Sequence, residues 1–417
     1  MKLQQANSGA RTLMQRLALW LVLILLLAGI TGTLVALFLW LLDAVTQIRW
    51  YSGWLLFLLP AAGVVIHFLY KLWGKSAERG NNLVIDEIHE PGGGVPLRMA
   101  PLILLTTIIT HLFGGSAGRE GTAVQIGGSV AGGIARKFGL DNKVTRLLLM
   151  MGIAAGFGAV FGTPLAGAVF AMEVLVVGKA DFRNLVPCLI AAYLGDKVCA
   201  LWGIGHVHYT VSATTEVLPD WLLMCKAAII GAAAGLVARV FSWSSHGLKN
   251  AANRFIKPSW VIPVVGAALV IAMVYVSGST DYLGLGVTTA DGKGISIVNA
   301  FNGGDLLAGA WMWKFAFTVV TLSFGFKGGE VTPLFFIGAW LGHSLAVLMG
   351  APVDVCAAIG FIAVFAGATN TPIGCILMGV ELFGFGNFIY YAIACEAAYL
   401  LSGPVGIYTA QRRPNDG

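Results

Sequence analysis

Glu120 and Glu330 are the residues whose types and settings bear most directly on chemistry. Each is an acid on a glycine-rich turn in a chain otherwise nearly as apolar as lipid. Glu120 lies in Gly118-Arg119-Glu120-Gly121-Thr122 and Glu330 in Gly328-Gly329-Glu330-Val331-Thr332-Pro333. The same downstream block follows both. Phe161-Gly162-Thr163-Pro164-Leu165-Ala166-Gly167 leads to Glu173, and Thr369-Asn370-Thr371-Pro372-Ile373-Gly374 leads to Glu381. Pro164 with Pro372 and Glu173 with Glu381 share an offset of 208 positions (372 − 164 and 381 − 173). The pattern reads as one membrane unit duplicated, with an ionisable residue at matching places in both copies. A carboxylate at membrane depth is costly and usually functional, and inverted repeats with broken helices mark transporters.

The elements that position these acids follow from composition. The 417 residues are 57% hydrophobic and 11% charged, against about 25% charged in ordinary soluble domains. Leu17 to Leu42 carries no charge and exceeds the about 20 residues that cross a bilayer. It also exceeds the apolar region of about 7–15 residues in a cleaved signal peptide, so it reads as a span. Lys2, Arg11 and Arg16 precede the first span and Arg412 and Arg413 follow the last. By the positive-inside rule both termini are expected in the cytoplasm, in a multi-pass protein of a bacterial inner membrane. The net charge of +6 is scattered over loops with no basic face, which argues against a nucleic-acid partner. The six cysteines form no CxxC pair and read as small hydrophobes.

The expected organisation is a cytoplasmic segment 1–16, a transmembrane domain 17–409 and a short cytoplasmic tail 410–417 with no regulatory domain. Its halves lie at about 17–203 and 221–409, joined by the polar connector Gly205 to Asp220. Segments 99–113, 123–139, 333–350 and 354–369 read as shorter than a full span and broken by Gly or Pro. A helix ending at membrane depth leaves backbone N–H groups unpaired, which is tolerated only beside a protein-lined cavity. Those N–H groups and the positive end of the helix dipole make an anion site. Close packing of small residues explains most of the 55 glycines, but not those flanking each glutamate.

Gly118-Arg119-Glu120-Gly121, followed by Thr122-Ala123-Val124-Gln125-Ile126-Gly127-Gly128, resembles the GREGP signature of the CLC anion channels and transporters. Phe157 to Glu173 resembles the helix after it, Gly329-Glu330-Val331-Thr332-Pro333 the GxFxP motif, and Gly80-Asn81-Asn82-Leu83-Val84 the GSGIP motif. Gly406-Ile407-Tyr408 falls where that family carries a C-terminal tyrosine. The resemblance spans nearly the whole chain in order. It implies an all-α integral membrane protein with the CLC-like inverted-repeat fold and many tilted and broken helices. It also implies a homodimer with one anion path per subunit. The anion-binding residues it implies are Asn81, Asn82, Gly118, Arg119, Gly121, Thr122, Val331, Thr332 and Tyr408, with Glu120 and Glu330 gating and transferring protons. No cofactor or metal is implied.

The departures point to one branch. Chloride-handling members place a serine where this chain has Asn81 and a phenylalanine where it has Val331. Glu330 is an added carboxylate, Thr122 replaces a proline, and Val174 stands where proton-coupled exchangers carry a second glutamate. Together these resemble the fluoride-exporting branch, implying a fluoride/proton antiporter. The alternative is a chloride/proton antiporter or a voltage-gated-type chloride channel. Fluoride is small and strongly hydrated, so its site needs short, strong donors such as a carboxyl O–H or an amide. Ionised Glu120 would occupy the anion path as a tethered competitor, and protonated Glu120 would bind the anion. Two carboxylates close together do not both ionise readily, so one is expected to remain a donor.

Other readings stand beside these. Glu330 is either an ion-facing acid or a buried helix cap, and Thr332 is open to a plain N-cap role. Arg119 reads as a packing or salt-bridge residue more than an anion ligand. Glu173 and Glu381, late in their helices, read as structural, and Tyr408 is open to an interfacial role. Asp86-Glu87-Ile88-His89-Glu90 raises the remote alternative of an intramembrane metalloenzyme. It lacks HExxH spacing, and no G-x-S-x-G elbow or P-loop accompanies it, so a solvated helix end and loop is expected and no enzyme activity.

Overall fold

The computed structural model describes residues 2–212, 220–302 and 309–413, with side chains from residue 19 onward. The connector therefore falls within the described residues only at 205–212 and 220, and the tail only through 413. The described residues contain fifteen α-helices and six short 3₁₀ or π segments, with no strand among them. In order the helices are α1 (Lys2–Tyr51), α2 (Leu59–Leu69), α3 (Asn81–His89), α4 (Met99–Leu112) and α5 (Glu120–Lys137). Then come α6 (Asn142–Phe161), α7 (Pro164–Glu173), α8 (Leu185–Leu201), α9 (Trp221–Phe255) and α10 (Val261–Ser277). The last are α11 (Ala310–Ser323), α12 (Val331–Met349), α13 (Val353–Thr369), α14 (Pro372–Phe383) and α15 (Phe388–Ser402). Six stretches are long and apolar enough to cross a membrane, while α4, α7, α10, α13 and α14 are apolar but shorter. One expectation changes: 333–350 lies in α12, which at 19 residues is long enough to span.

The duplicated motifs produce duplicated local structure. α6 ends on Gly162 at φ 72°, and α13 ends on Asn370 at φ 54°, both left-handed. Each is followed by Thr-Pro, and the proline opens the next helix, α7 or α14. That follows from proline's fitness for the first helical turn, where its missing N–H costs nothing. The pairs α5–α6 and α12–α13 each touch backbone to backbone. A Cβ on Gly127 would lie 1.9 Å from Gly152 O, and one on Gly338 would lie 2.1 Å from Gly360 O.

Glu173 and Glu381 lock α7 and α14 reciprocally. Glu173 accepts from Ile373 N (3.0 Å) and Gly374 N (2.7 Å) at the head of α14. Glu381 accepts from Leu165 N (3.0 Å) and Ala166 N (2.8 Å) at the head of α7. Each acid thus satisfies the unpaired N–H groups of the other helix, as the structural reading expects.

α6, at 20 residues, is about 30 Å long and defines two faces. Near its start Arg146 donates to His89 O (2.8 Å), on the face where Arg412 N donates to Leu175 O (3.0 Å). At its other end Gly162 packs beneath the His206 ring.

Candidate functional site

Helices α5 and α12 meet head to head. Gly118 N donates to Gly329 O (2.6 Å) and Gly329 N to Gly118 O (2.8 Å), an isolated antiparallel bridge just before α5 and α12 begin. Side chains do not fit here. A Cβ on Gly329 would lie 2.8 Å from Gly121 N, and one on Gly118 would lie 2.9 Å from Glu120 Oε2 and 3.0 Å from Gly329 O. These glycines are required by close approach, as their place in the motifs suggests.

Glu120 reaches across this junction. It is 1% exposed, and its Oε2 accepts from Thr332 N (3.0 Å) and Arg119 N (3.1 Å). Its Oε1 accepts from the Thr332 hydroxyl (2.5 Å) and lies 3.5 Å from Arg119 Nε. A carboxylate carried by α5 is thus seated on the first turn of α12. Its oxygens stand where a free anion would meet the N–H groups and dipole of that helix. Arg119 pairs with the acid, in keeping with the salt-bridge reading.

The N-cap of α12 is Glu330, and its side chain makes no capping bond. Thr332 is therefore not the cap, and its hydroxyl serves Glu120 instead. Glu330 is partly buried, and Lys249 acts on it electrostatically. Lys249 lines a cavity of about 380 Å³ together with Tyr70, Glu78 and Lys327. Tyr408 lies within electrostatic reach of both Glu330 and Glu120. It is 7% exposed and packs edge-on to Phe170 with ring centroids 6.4 Å apart. This is a core tyrosine, which corrects the interfacial reading.

Asn81 lies at the junction. Its Nδ2 is 3.1 Å from the point where Gly121 would carry a Cβ, and its Oδ1 is buried without a partner. Val331, 2% exposed, adds an apolar wall. Two residues of the expected anion set are engaged elsewhere. Asn82 Oδ1 accepts from Ala410 N (3.0 Å), so Asn82 positions the segment that carries Tyr408. The Thr122 hydroxyl pairs with Thr107 (2.8 Å) and ties α5 to α4. Both corrections follow from helix geometry, because adjacent residues point about 100° apart and only one of each pair faces the junction.

Several residues at the site escaped sequence reasoning. Gln125, one turn beyond Gly121, lies against Gly80 with its Oε1 buried and unpartnered. Its spacing of four from Gly121 on one helix face is the signal that would have found it. Tyr209 stacks on Phe301 (5.0 Å) and meets Phe361 edge-on (5.6 Å), within electrostatic reach of Arg119 and Glu120. Phe361 stacks on Phe335 at 3.9 Å, and Phe335 meets Phe161 at 5.4 Å. Phe161, Phe157 and Phe170 then continue the aromatic chain to Tyr408.

The side chains of the acidic run after Gly80 are engaged in local contacts. Glu87 accepts from Gly92 N and Gly94 N (both 2.9 Å), Asp86 pairs with Arg79, and Glu90 with Arg412. The His89 ring bonds Leu175 O (3.0 Å).

Comparison with known proteins agrees with this geometry. A family model described as voltage gated chloride channel matches residues 62–403. A chloride/fluoride channel protein of Pseudomonas syringae pv. tomato is 47% identical over 96% of this chain and 88% of its own length. The crystal structure of a CLC-type fluoride/proton antiporter superposes with a TM-score of 0.88 at 34% identity, covering 95% of this chain and 98% of that one. A slow cyanobacterial Cl−/H+ antiporter shares the fold, with a TM-score of 0.78 at 19% identity over 94% and 96% of the two chains. The head-to-head helices and the seated glutamate thus lie within a match covering most of the sequence, and the chain belongs to the voltage gated chloride channel family, the CLC family.

Proposed function

We propose that this protein is a fluoride/proton antiporter that exports fluoride across the membrane, with Glu120 as its proton-coupled gate. The observation that carries the reading is the seat of Glu120 on the first turn of α12, held by Thr332 and Arg119. An ionised carboxylate there excludes a free anion. A proton arriving on a Glu120 oxygen removes the charge that the helix terminus holds, so the side chain leaves and an anion takes its place. Return of Glu120 to the seat requires loss of that proton and departure of the anion. One residue thereby links the two ions.

The preference for fluoride rests on short donors. The Thr332 hydroxyl, the backbone N–H of α12 and the Asn81 amide lie at the junction, and a protonated Glu330 at the head of the same helix is the further donor this reading calls on. Chloride, a larger and weaker acceptor, gains less from such donors. Val174 leaves Glu120 without a second glutamate immediately after Glu173, and Glu173 itself is held by α14. The names borne by the Pseudomonas relative and by the superposable antiporter support the same substrate and coupling. The chain works as a homodimer in the lipid bilayer, with the His89–Arg412 face and both termini cytoplasmic, and its two halves are the duplicated units at about 17–203 and 221–409.

Flux from liposomes carrying the purified protein tests this. Fluoride efflux far exceeds chloride efflux at matched gradients, and a fluoride gradient drives protons in the opposite direction. Chloride efflux equal to or above fluoride efflux would leave the protein a chloride transporter of the same family.

A further inference from the structure

A small cavity of about 130 Å³ lies between the end of α1 and the loops at 203–212 and 282–288. It is on the His206 face, since Val207 lines it, and Arg119 forms another part of its wall. Arg49 projects into it from α1. Arg49 is 9% exposed, its Nε is buried without a partner, and among the described residues it forms no ion pair. A buried guanidinium N–H with nothing to donate to is costly, and such groups are rarely left so in a folded protein.

A third basic group stands behind the wall. Lys314 is fully buried and donates to Tyr282 O (2.9 Å) and Gly284 O (2.7 Å). Its Nζ is 3.2 Å from the point where Gly286, a wall residue, would carry a Cβ. Two acids lie nearby, of which Asp281 acts on Arg49 electrostatically without forming an ion pair. Asp43 on the wall is exposed and accepts from Gln47 Nε2 (2.7 Å). Asp281, in the adjoining cavity that Arg49 also lines, accepts from Ile295 N (2.8 Å).

We propose that this cavity is a second anion site, in which Arg49 and Arg119 hold a small monovalent inorganic anion between the α12 seat and the His206 face. At about 130 Å³ the cavity has room for a small anion together with a few waters. Arg119 couples it to the gate. While Glu120 is seated, Arg119 spends its charge on that carboxylate at 3.5 Å. When Glu120 is neutralised and leaves, Arg119 loses its ion-pair partner and faces the cavity beside Arg49. The site is strongest while the seat is empty, after Glu120 has left it, and it gives an anion leaving the seat a next station. This rests on the transport reading above.

Two measurements test it together. Bromide, a heavy halide, is soaked into crystals of the wild-type protein and located by anomalous scattering. Fluoride flux is measured over a range of fluoride concentrations for Arg49→Gln and Arg49→Lys. A bromide peak beside the Arg49 guanidinium in this cavity is expected in the wild type and not in Arg49→Gln. The half-saturating fluoride concentration rises about ten-fold in Arg49→Gln, as for one lost charge-assisted hydrogen bond. Arg49→Lys, which keeps the charge, recovers most of that affinity. A purely structural Arg49 would lower the rate and the yield without moving half-saturation, and Lys would not restore them. An empty cavity in the wild-type crystals, or unchanged half-saturation in Arg49→Gln, overturns the site. Wild-type liposomes that move no fluoride would overturn the transport reading instead, leaving the bromide peak to judge the cavity alone.

Discussion

Glu173→Gln separates a structural acid from a proton relay. Glu173 is 3% exposed, and each of its oxygens accepts one backbone N–H at the head of α14, from Ile373 (3.0 Å) and Gly374 (2.7 Å). Glutamine keeps the shape but retains only one acceptor oxygen. One N–H then faces an amide NH₂, donor against donor. A hydrogen bond to a charged group contributes about 1.5–3 kcal/mol, and leaving a buried donor unsatisfied costs about 1–3 kcal/mol. The surviving bond also weakens as the charge disappears. Together these put the loss at about 2.5–6 kcal/mol at this helix junction. Glu381→Gln should cost a similar amount, because its two bonds at α7 are of equal length within a few tenths of an ångström. The double variant should fall short of the sum, since both acids dock the same helix pair and the second loss acts on a junction already loosened. The assay is the half-life of the purified protein in detergent at fixed elevated temperature, with the proton-to-fluoride ratio measured in liposomes. Shortened half-life with an unchanged ratio in the surviving protein is expected. Unchanged half-life with lost proton movement would refute the reasoning and make Glu173 a relay.

Glu330→Ala should sharply lower fluoride transport while leaving assembly intact, by roughly the 1.5–3 kcal/mol of a charge-assisted hydrogen bond. Glu330→Ser, which preserves a good capping residue, should be equally impaired, because the Glu330 side chain makes no capping bond; normal flux in Glu330→Ser would remove the residue from the site. Gly329→Ala should abolish fluoride flux, since its Cβ would lie 2.8 Å from Gly121 N and force the helix heads apart; wild-type flux in that variant would mean the head-to-head junction is not part of the path.

The parts of the site that were legible are those marked by backbone chemistry. Gly118, Gly329, Pro164 and Pro372 serve as punctuation whose conformational meaning survives without coordinates, and the repeated spacing revealed which acids correspond. The side-chain directions were not legible. Asn81 with Asn82, and Gly121 with Thr122, are neighbours in sequence, yet one of each pair faces the junction and the other packs elsewhere. Arg49, Lys314 and Tyr209 were missed for a different reason. Lys314 is a lone charge in an apolar helix, Arg49 ends a long helix and Tyr209 sits in the polar connector, and the significance of each arises from partners on other elements. The reciprocal locks of Glu173 and Glu381 illustrate the intermediate case. Their structural role was expected from position, but that each serves the other's helix required the packed halves.

Glu120→Gln bears most directly on the gate. Glutamine is nearly isosteric and meets Thr332 and Arg119 without a charge, so it neither binds nor releases a proton. Liposomes loaded with fluoride and containing this variant, with internal and external pH recorded, should show no fluoride-driven pH change, whatever fluoride flux remains. Proton movement undiminished from the wild type would contradict a gate in which a single carboxylate couples the two ions.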